Sequence, residues 1–470
     1  MSDIKNVRSV FILGIKGAAM ANIAVILHGM GKSVTGVDVA EEFITDKILK
    51  EQGIIYSTSF DPASIPTGCD LFIYSAAHGG LSNELSKEVQ RRGIMVRHQV
   101  DVIADIMSEA KIKIAVAGSA GKTTTSALLS HVLMGLGQNP GYMIGVPEFG
   151  DHPGGKWSDS AYFVVEADEY GMNPPIDKSP KFLHLKPDLI LATNIDFDHP
   201  DTYKDLDEVK GAFAKFFDSK KLLLCADDAN LMSVARQIGA SATTFGYVEG
   251  ATLRITDVEA SEHNTSFELE YKGKSLGQFA IELFGAKNVS NATGVILCLL
   301  ELGFDADRIK KALLGFTGAT RRFEKIAYLN DTYLFDDYAH HPAKIAAAIE
   351  AAHARFPHRR LMVIFQPHTY SRTEALTAEF AEALSAADCV LVAPIFPSAR
   401  ENPHDFDVSS HAIEKAQKQG ADKIKAYDSK EDLNKDLSSY ISRGDVIFTM
   451  GAGDIYKLKN DIIETIKLHC

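Results

Sequence analysis

The sequence from Ile114 to Ser126 runs from an apolar strand through a glycine turn into Lys-Thr-Thr and an apolar helix. Gly118 opens the turn and Gly121 closes it, with Lys122 and Thr123 directly after. Such a turn directs backbone N–H groups at an anion, and the helix N-terminus adds its dipole. Lys122 is placed to reach the outer phosphates of a nucleotide, and the Thr123 hydroxyl to hold Mg²⁺. The alternative is an ordinary strand–turn–helix with a surface lysine, and the flanking sequence favours the nucleotide.

Short apolar strands alternate with helices in three blocks, at residues 1–110, 111–320 and 321–470. This alternation predicts parallel sheets with helices on both faces. The expected fold class is α/β with three domains: a Rossmann-like N-terminal domain, a central domain with the phosphate loop, and a Rossmann-like C-terminal domain. Alternating apolar and polar residues at 243–283 predict a small antiparallel sheet packed against the central one.

Composition limits the partners and the compartment. The formal net charge is −13, which argues against nonspecific binding to nucleic acid or to an anionic membrane. The five cysteines show no metal or redox spacing, and the N-terminus lacks a basic segment followed by an apolar stretch. No apolar run approaches the ~18 residues of a membrane span. We therefore expect a cytoplasmic protein with no nucleic-acid or membrane partner. As a separate expectation, the chain is a monomer or weak dimer.

Polar residues follow two strands of the second block. Glu166 ends one strand, and His199 lies among three aspartates after another. Carboxylates in the same sheet as a phosphate loop suit Mg²⁺, whereas a solvated acidic loop is the alternative.

Asn288 and Asn291 are three residues apart on a predicted helix and share one face. They are suited to hold a base or ribose, or one of them to cap the helix.

The first block contains a second glycine turn, with Gly14, Lys16 and Gly17 after the first strand and Asp38 at the end of the second. Backbone amides and the Lys16 charge suit a pyrophosphate, with Asp38 toward a ribose hydroxyl. An NAD-dependent oxidoreductase is the alternative function. The G-x-G-x-x-G spacing fails at Lys16 and Ala19, and together with the phosphate loop of the second block this speaks against it.

Two polar clusters, Asp336–Pro342 and Phe365–Thr373, end strands of the third block. Taken together, the segments of all three blocks resemble the Mur ligases, the ATP-dependent amino-acid ligases of peptidoglycan synthesis. The resemblance covers nearly the whole chain. Its motifs are Gly118–Thr125, Glu166–Tyr170, Asn194–His199, Asn288–Asn291, Arg321–Phe323, Asp336–Pro342, Phe365–Thr373, Ser398–Glu401 and Met450–Ile455.

The resemblance implies one domain each for a UDP-sugar, ATP and an amino acid, with Mg²⁺ as the metal. The implied ATP-binding residues are Gly118, Ser119, Gly121, Lys122, Thr123, Thr124, Asn288, Asn291, Arg322 and Asp337. Lys122, Glu166 and His199 are the implied catalytic residues, and Thr123, Glu166 and His199 the implied metal ligands. The implied UDP-sugar residues are Gly14, Lys16, Gly17, Asp38 and Ser75. The implied amino-acid residues are Tyr338, His340, His341, His368 and Arg372.

Within the family, the third-block motifs are most similar to the branch that joins L-alanine to UDP-N-acetylmuramate through an acyl phosphate, releasing ADP and phosphate. Residues 181–199 are closer to the branch that recycles the tripeptide L-Ala-γ-D-Glu-diaminopimelate. We expect L-alanine to be the amino-acid substrate, because the third domain is the one that recognises the incoming amine. Ser119-Ala120 stands where the family usually has Thr-His, and Lys16 and Ala19 replace two glycines. Because of these changes, a further alternative to an active ligase is a degenerate relative that binds a nucleotide without catalysis.

Overall fold

The structure is a computed structural model that describes residues 4–174, 176–218, 220–261, 264–397, 401, 403–418 and 422–469. Residues 398–400 of the predicted Ser398–Glu401 motif lie outside this set. The chain forms two compact units. One comprises Met1–Glu259, Ser266–Glu282 and Lys287–Phe316, and the other Ala260–Thr265, Leu283–Ala286 and Thr317–Cys470. The domain boundaries expected near residues 110 and 320 stay predictions.

The first unit begins with a parallel sheet in the order β3-β2-β1-β4-β5. Its strands are β1 (Ser9–Leu13), β2 (Ser33–Val37), β3 (Ile55–Ser57), β4 (Leu71–Tyr74) and β5 (Met95–His98). Its helices are α1 (Ala18–Gly29), α2 (Thr45–Glu51), α3 (Glu84–Arg91) and α4 (Gln99–Met107). Strands β2 and β3 lie on one side of β1, and β4 and β5 lie on the other side. Gly14 follows β1 and Ser75 follows β4, so both residues lie at the point where the strand order reverses, which is where such sheets bind ligands.

The central sheet of this unit has the order β17-β16-β15-β14-β13-β12-β6-β9-β7-β8. Its strands, with the separate pair β10 and β11, are β6 (Ile112–Ala117), β7 (Gly141–Phe149), β8 (His152–Lys156), β9 (Tyr162–Ala167), β10 (Gly171–Asn173), β11 (Asp177–Pro180), β12 (Leu189–Ala192), β13 (Lys221–Cys225), β14 (Ala242–Gly246), β15 (Leu253–Ala260), β16 (Thr265–Tyr271) and β17 (Lys274–Ile281). Its helices are α5 (Lys122–Gly135), α6 (Leu206–Phe217), α7 (Ala229–Gln237), α8 (Ala286–Glu301) and α9 (Ala306–Leu313). Strand β6 lies between β9 and β12, and this order brings their carboxyl ends together.

The strands predicted as a small packed sheet instead extend the central sheet edge to edge. Strand β15 pairs with β14 in parallel, Phe245 opposite Leu253. An edge strand such as β14 presents unpaired backbone N–H and C=O groups, which a further strand satisfies. Strands β16 and β17 form the predicted hairpin, since only Lys272 and Gly273 join them, both with positive φ.

The second unit contains a sheet in the order β18-β19-β23-β20-β21-β22, in which β18 is antiparallel to β19 and the other neighbours are parallel. Its strands are β18 (Glu324–Leu329), β19 (Thr332–Asp337), β20 (Leu361–Phe365), β21 (Cys389–Val392), β22 (Ile424–Ala426) and β23 (Val446–Met450). Its helices are α10 (Pro342–Arg355), α11 (Tyr370–Ala375), α12 (Thr377–Leu384), α13 (His411–Lys415), α14 (Lys430–Tyr440) and α15 (Lys459–His469).

Apolar side chains cover both faces of this second sheet, as its continuous apolar strands predict. Val363 and Phe365 of β20 face one core, while Met362 and Ile364 face the other. The predicted α/β class with Rossmann-like terminal domains and a central phosphate-loop domain is confirmed. Throughout the described residues, helices that combine the length and the apolar character needed to cross a membrane are absent.

Candidate active site

Two glycines give the phosphate loop, residues 118–124, its shape. Gly118 has φ 141°, and a Cβ there would lie 2.1 Å from Oγ1 of Thr193. Gly121 has φ 84°, and a Cβ there would lie 2.8 Å from Oδ1 of Asn291. Any other residue at either position would be strained and would collide with a neighbouring segment. The loop therefore has the compact shape that the sequence predicts.

The residues after β12 support the middle of the phosphate loop. Ala120 N–H donates to Oδ1 of Asn194 at 2.9 Å, and its carbonyl accepts from Oγ1 of Thr193 at 2.6 Å and from Nδ2 of Asn194 at 2.8 Å. Ser119 Oγ donates to the carbonyl of Asp196 at 3.0 Å and accepts its N–H at 2.8 Å. The Ser119-Ala120 pair is thus fixed by backbone and amide contacts that need no imidazole at residue 120.

Lys122 begins α5 and lies against an acidic group. Its ammonium donates to the carbonyl of Gly118 at 2.7 Å and forms an ion pair with Glu169. Burial alone would lower the pKa of Lys122, but the carboxylates of Glu169 and Asp168 raise it to about 12. The ammonium therefore stays charged at the mouth of the loop, as phosphate binding requires.

Thr123 and Glu166 meet beside the loop. The Thr123 hydroxyl donates to Oε1 of Glu166 at 2.8 Å, and the other carboxylate oxygen accepts from Gly145 N–H at 2.7 Å. A hydroxyl and a carboxylate oxygen are the hard ligands that Mg²⁺ prefers. The predicted metal ligands Thr123 and Glu166 are therefore adjacent.

The predicted ligand His199 belongs to a separate group with Asp168 and Glu169. One ligand atom from each of these residues lies within 4.8 Å of the others. The imidazole Nε2 of His199 is 3.6 Å from Oε1 of Glu169, and Lys181 pairs with Asp168 at 3.0 Å. Burial would raise the pKa of Glu169, but Lys122 and His199 hold it below its usual value. Sequence reasoning did not single out Glu169, although its place in Glu166-Ala-Asp-Glu169 at a strand end is a usable signal.

The two asparagines of α8 share a face, as their spacing predicts. Nδ2 of Asn291 donates to Oδ1 of Asn288 at 3.4 Å. Asn291 is buried and lies directly against Gly121 of the phosphate loop. The geometry places an amide pair beside the loop, and its contact with a nucleotide stays a prediction.

In the N-terminal sheet, the Lys16 side chain is enclosed. Only 2% of it is exposed, and its ammonium donates to the carbonyls of Val39, at 3.0 Å, and Glu41. It also lies 3.3 Å from the carboxylate of Asp46. The predicted contact of this charge with a pyrophosphate finds no support in the geometry, because its partners are inside the fold.

The remaining predicted residues of this region surround the Gly14–Gly17 turn. Gly14 has φ 75°, and its carbonyl accepts from Gly17 N–H at 3.2 Å. Asp38 is buried and accepts from Lys16 N–H at 2.7 Å. Ser75 is buried at the end of β4, and its hydroxyl accepts from Ala77 N–H at 3.3 Å. Asp38 thus holds the turn, while its predicted ribose contact stays a prediction.

In the second unit, Arg322, Asp337 and Tyr338 lie together. Oδ2 of Asp337 accepts from Phe323 N–H and Oδ1 accepts from Ala339 N–H, both at 2.7 Å. Burial raises the pKa of Asp337, and Arg322 offsets part of that rise. The guanidinium of Arg322 lies 4.8 Å from the centre of the Tyr338 ring.

The neighbouring Arg321 has a structural role that the sequence did not reveal. Its Nε donates to Oδ2 of Asp336 at 2.9 Å, and its other nitrogens donate to the carbonyls of Gly451 and Gly453. Oδ1 of Asp336 accepts from the Thr449 hydroxyl at 2.5 Å. Arg321 therefore links the ends of β19 and β23, and its guanidinium also lies 5.1 Å from the centre of the Tyr338 ring, so that both arginines border this tyrosine.

Three of the predicted amino-acid residues converge. The ring centre of His340 lies 5.1 Å from that of Tyr338 and 6.3 Å from that of His368. His341 caps α10 by accepting from Ala343 N–H at 3.4 Å. Arg372 is half-buried on α11, and among the described residues nothing forms a hydrogen bond or ion pair with its guanidinium. These positions leave Arg372 able to bind an external carboxylate.

Comparison with known proteins matches all three parts of the chain. Residues 9–111 match the Mur ligase family, catalytic domain; residues 116–299 the Mur ligase middle domain; and residues 321–453 the Mur ligase, glutamate ligase domain. The chain belongs to the Mur ligase family. The resemblance inferred from the motifs is thereby confirmed.

Relatives within the Mur ligases match the full length. The UDP-N-acetylmuramate–L-alanine ligases of Lactobacillus delbrueckii subsp. bulgaricus and Pediococcus pentosaceus are each 37% identical, with 96% of this chain and 96–97% of theirs covered. The solved UDP-N-acetylmuramate–alanine ligase of Thermotoga maritima has a TM-score of 0.81 at 26% identity, covering 98% of this chain and 99% of its own. The murein peptide ligase of Psychrobacter arcticus shares the fold, with a TM-score of 0.73 at 23% identity and 98% of each chain covered.

Proposed function

We propose that this Mur ligase joins L-alanine to UDP-N-acetylmuramate and converts ATP to ADP and phosphate. The observation that carries the proposal is the phosphate loop, where a charged Lys122 and the Thr123–Glu166 pair meet. Full-length similarity to relatives named UDP-N-acetylmuramate–L-alanine ligase supports this choice of substrates. When bound, ATP supplies a phosphoryl group to the lactyl carboxylate, and the alanine amine then displaces phosphate.

The residues present fit Mg²⁺ and the nucleotide. Thr123 and Glu166 would hold Mg²⁺ with oxygen ligands, and the loop N–H groups would hold the phosphates. His199, with Asp168 and Glu169, offers further ligand atoms close by. Lys122 would leave Glu169 and contact the transferring phosphoryl group. Its positive charge would there offset the negative charge that develops in the transition state.

In the second unit, we assign ATP contacts to Arg322 and Asp337 and amino-acid contacts to the aromatic and imidazole cluster. Tyr338, His340 and His368 form a compact polar wall suited to a small ligand. Arg372 pairs with the alanine carboxylate, because a guanidinium binds a carboxylate through two parallel hydrogen bonds. His341 borders this wall at the start of α10.

A phosphate-release assay with UDP-N-acetylmuramate and ATP tests the proposal. The acceptors are L-alanine, glycine, L-serine and the tripeptide L-Ala-γ-D-Glu-diaminopimelate. We expect L-alanine to be the best acceptor, with glycine and L-serine weaker, because one methylene is worth only ~1–3 kcal/mol in a pocket. Use of the tripeptide without use of L-alanine would assign the chain to the recycling reaction. ATP binding without turnover on any acceptor would indicate a degenerate relative.

A further inference from the structure

Asn22 joins helix α1 of the N-terminal sheet to strand β7 of the central sheet. The residue is fully buried, and its Nδ2 donates to the carbonyl of Ile144 at 2.7 Å and to that of Val146 at 2.8 Å. Both N–H groups of the amide are thereby used, while within the described residues Oδ1 has no hydrogen-bond partner. Because a buried acceptor without a partner is costly, the two donated bonds are what this amide contributes.

The two carbonyls belong to a stretch where β7 departs from regular pairing. The register between β7 and β8 shifts between Met143 and Glu148, and the pairing of β7 with β9 spans Gly141 to Met143. Residues 144–146 lie within this irregular stretch, and Asn22 supplies donors to their carbonyls. The conformation of these residues therefore depends on their contact with α1.

Strand β8 encloses the amide from the other side. A Cβ at Gly155 would lie 2.4 Å from the carbonyl oxygen of Asn22, and a Cβ at Gly154 would lie 2.6 Å from Nδ2 of the same residue. A side chain at either position would displace Asn22, so the close approach of β8 to α1 requires glycine. Asn22 is thus held in one place between the two strands.

Gly145, which lies between the two carbonyl groups, contacts the candidate metal site. Its N–H donates to Oε2 of Glu166 at 2.7 Å, and a Cβ at this position would lie 2.8 Å from that oxygen. In an extended segment, the N–H of one residue points to the opposite side from the carbonyls of its two neighbours. Asn22 therefore holds the segment from one side, while the segment holds the Glu166 carboxylate on the other.

We propose that Asn22 is a positioning residue for the metal ligand Glu166 and acts on it through residues 144–146. This inference rests on the proposed function, because Glu166 is assigned there to Mg²⁺. Helix α1 begins directly after the Gly14–Gly17 turn. The helix that leaves this turn therefore also fixes a carboxylate beside the phosphate loop.

Calorimetric titration of the full chain with ADP, once with Mn²⁺ and once with EDTA, tests the assignment. Mn²⁺ is the probe because it takes the same oxygen ligands as Mg²⁺. Asn22→Leu keeps the size of the side chain but removes both donors, so the gain in ADP affinity that Mn²⁺ produces should shrink about tenfold. ADP affinity in EDTA should stay unchanged, because Asn22 donates to β7 rather than to the phosphate loop.

Three further variants separate positioning from a purely structural role. Lys47→Met in α2 removes another contact with β7, the 3.0 Å ion pair with Glu148, and should leave both ADP affinities unchanged. Gly145→Ala places a Cβ against the Glu166 carboxylate without touching the buried amide, and should reproduce the loss of the Mn²⁺ gain. Glu166→Gln weakens the metal site directly, and in that background Asn22→Leu should cause no further loss.

Two results would overturn the assignment. An unchanged Mn²⁺ gain in Asn22→Leu or in Gly145→Ala would mean that residues 144–146 do not set the position of the Glu166 carboxylate. Equal losses of ADP affinity with Mn²⁺ and with EDTA would mean that Asn22 only supports the fold.

Both results differ from failure of the proposed function, because ADP binding is measured without UDP-N-acetylmuramate or L-alanine. Wild-type protein that shows the Mn²⁺ gain but forms no product from these substrates would refute the reaction and leave the Asn22 result standing. Wild-type protein whose ADP affinity is the same with Mn²⁺ and with EDTA would refute both.

Discussion

The Gly14–Gly17 turn and the phosphate loop begin from the same pattern, a buried parallel strand followed by a glycine turn, a lysine and a helix, yet their lysines differ. The Lys122 side chain is 11% exposed and lies between Gly118 and Glu169. The Lys16 side chain is 2% exposed and is enclosed by segment 39–46, with the rings of Phe43 and Tyr56 5.0 and 5.5 Å from its ammonium. The same pattern thus places one lysine beside the carboxylate of Glu169 at the phosphate loop and encloses the other among residues 39–46.

Replacing Lys122 with alanine should produce the largest effect on activity. Loss of a charge that stabilises the transferring phosphoryl group costs about 10²–10³ in rate, or more. The protein should still fold, although with a lower Tm, because the substitution leaves the buried carboxylate of Glu169 without its cation. The measurement is kcat for phosphate release, with Lys311→Ala, an exposed lysine of α9, as the control. Activity above about a tenth of wild type would refute the loop assignment.

Replacing Lys16 with methionine should affect stability rather than chemistry. The substitution leaves the carbonyls of Val39 and Glu41 and the Asp46 carboxylate without their cation, a loss of about 2–3 kcal/mol. Thermal unfolding should show a lower Tm, while kcat at saturating substrates changes little; Lys50→Met, an exposed lysine of α2, is the control. A Lys16→Met protein with unchanged Tm and a large loss of kcat would make the two lysines equivalent and remove the contrast.

The parallel α/β class, the phosphate loop and the polar strand ends were predictable because they depend on local patterns: apolar runs, glycine turns and residues directly after a strand. The direction of the Lys16 side chain was not, since it depends on residues 39–46, which lie more than twenty positions away. Glu169 was missed although it closely follows a strand, because its role depends on an ion pair with Lys122, 47 positions away along the chain.

Arg372→Lys tests whether the Arg372 guanidinium, which has no hydrogen-bond or ion-pair partner among the described residues, contacts a ligand as we propose for Lys122. Lysine keeps the charge but loses the two parallel donors that match a carboxylate. KM for L-alanine should rise about tenfold, corresponding to ~1.4 kcal/mol, with KM for ATP within twofold. Equal increases in both constants would show that Arg372 does not distinguish the two substrates.

The smallest expected effect concerns pH and Glu169. Its folded pKa lies below the usual value, so its charged form adds stability above the unfolded pKa of about 4.3 and loses it as pH falls through the folded pKa. Glu169→Gln should therefore lower Tm at pH 7, and the difference from wild type should shrink below about pH 4. Glu268→Gln, an exposed carboxylate of β16, should show no such trend. A constant difference across this range would mean that the Lys122–Glu169 pair adds no stability.

Isotope tracing tests the central claim most directly, that the phosphate loop activates the carboxylate of UDP-N-acetylmuramate for attack by L-alanine. The lactyl carboxylate is labelled with ¹⁸O, and ATP and L-alanine are added in unlabelled water. We expect ADP, a UDP-N-acetylmuramyl-L-alanine product and inorganic phosphate that carries one ¹⁸O atom from the carboxylate. Phosphate without ¹⁸O, or the appearance of AMP and pyrophosphate, would contradict it.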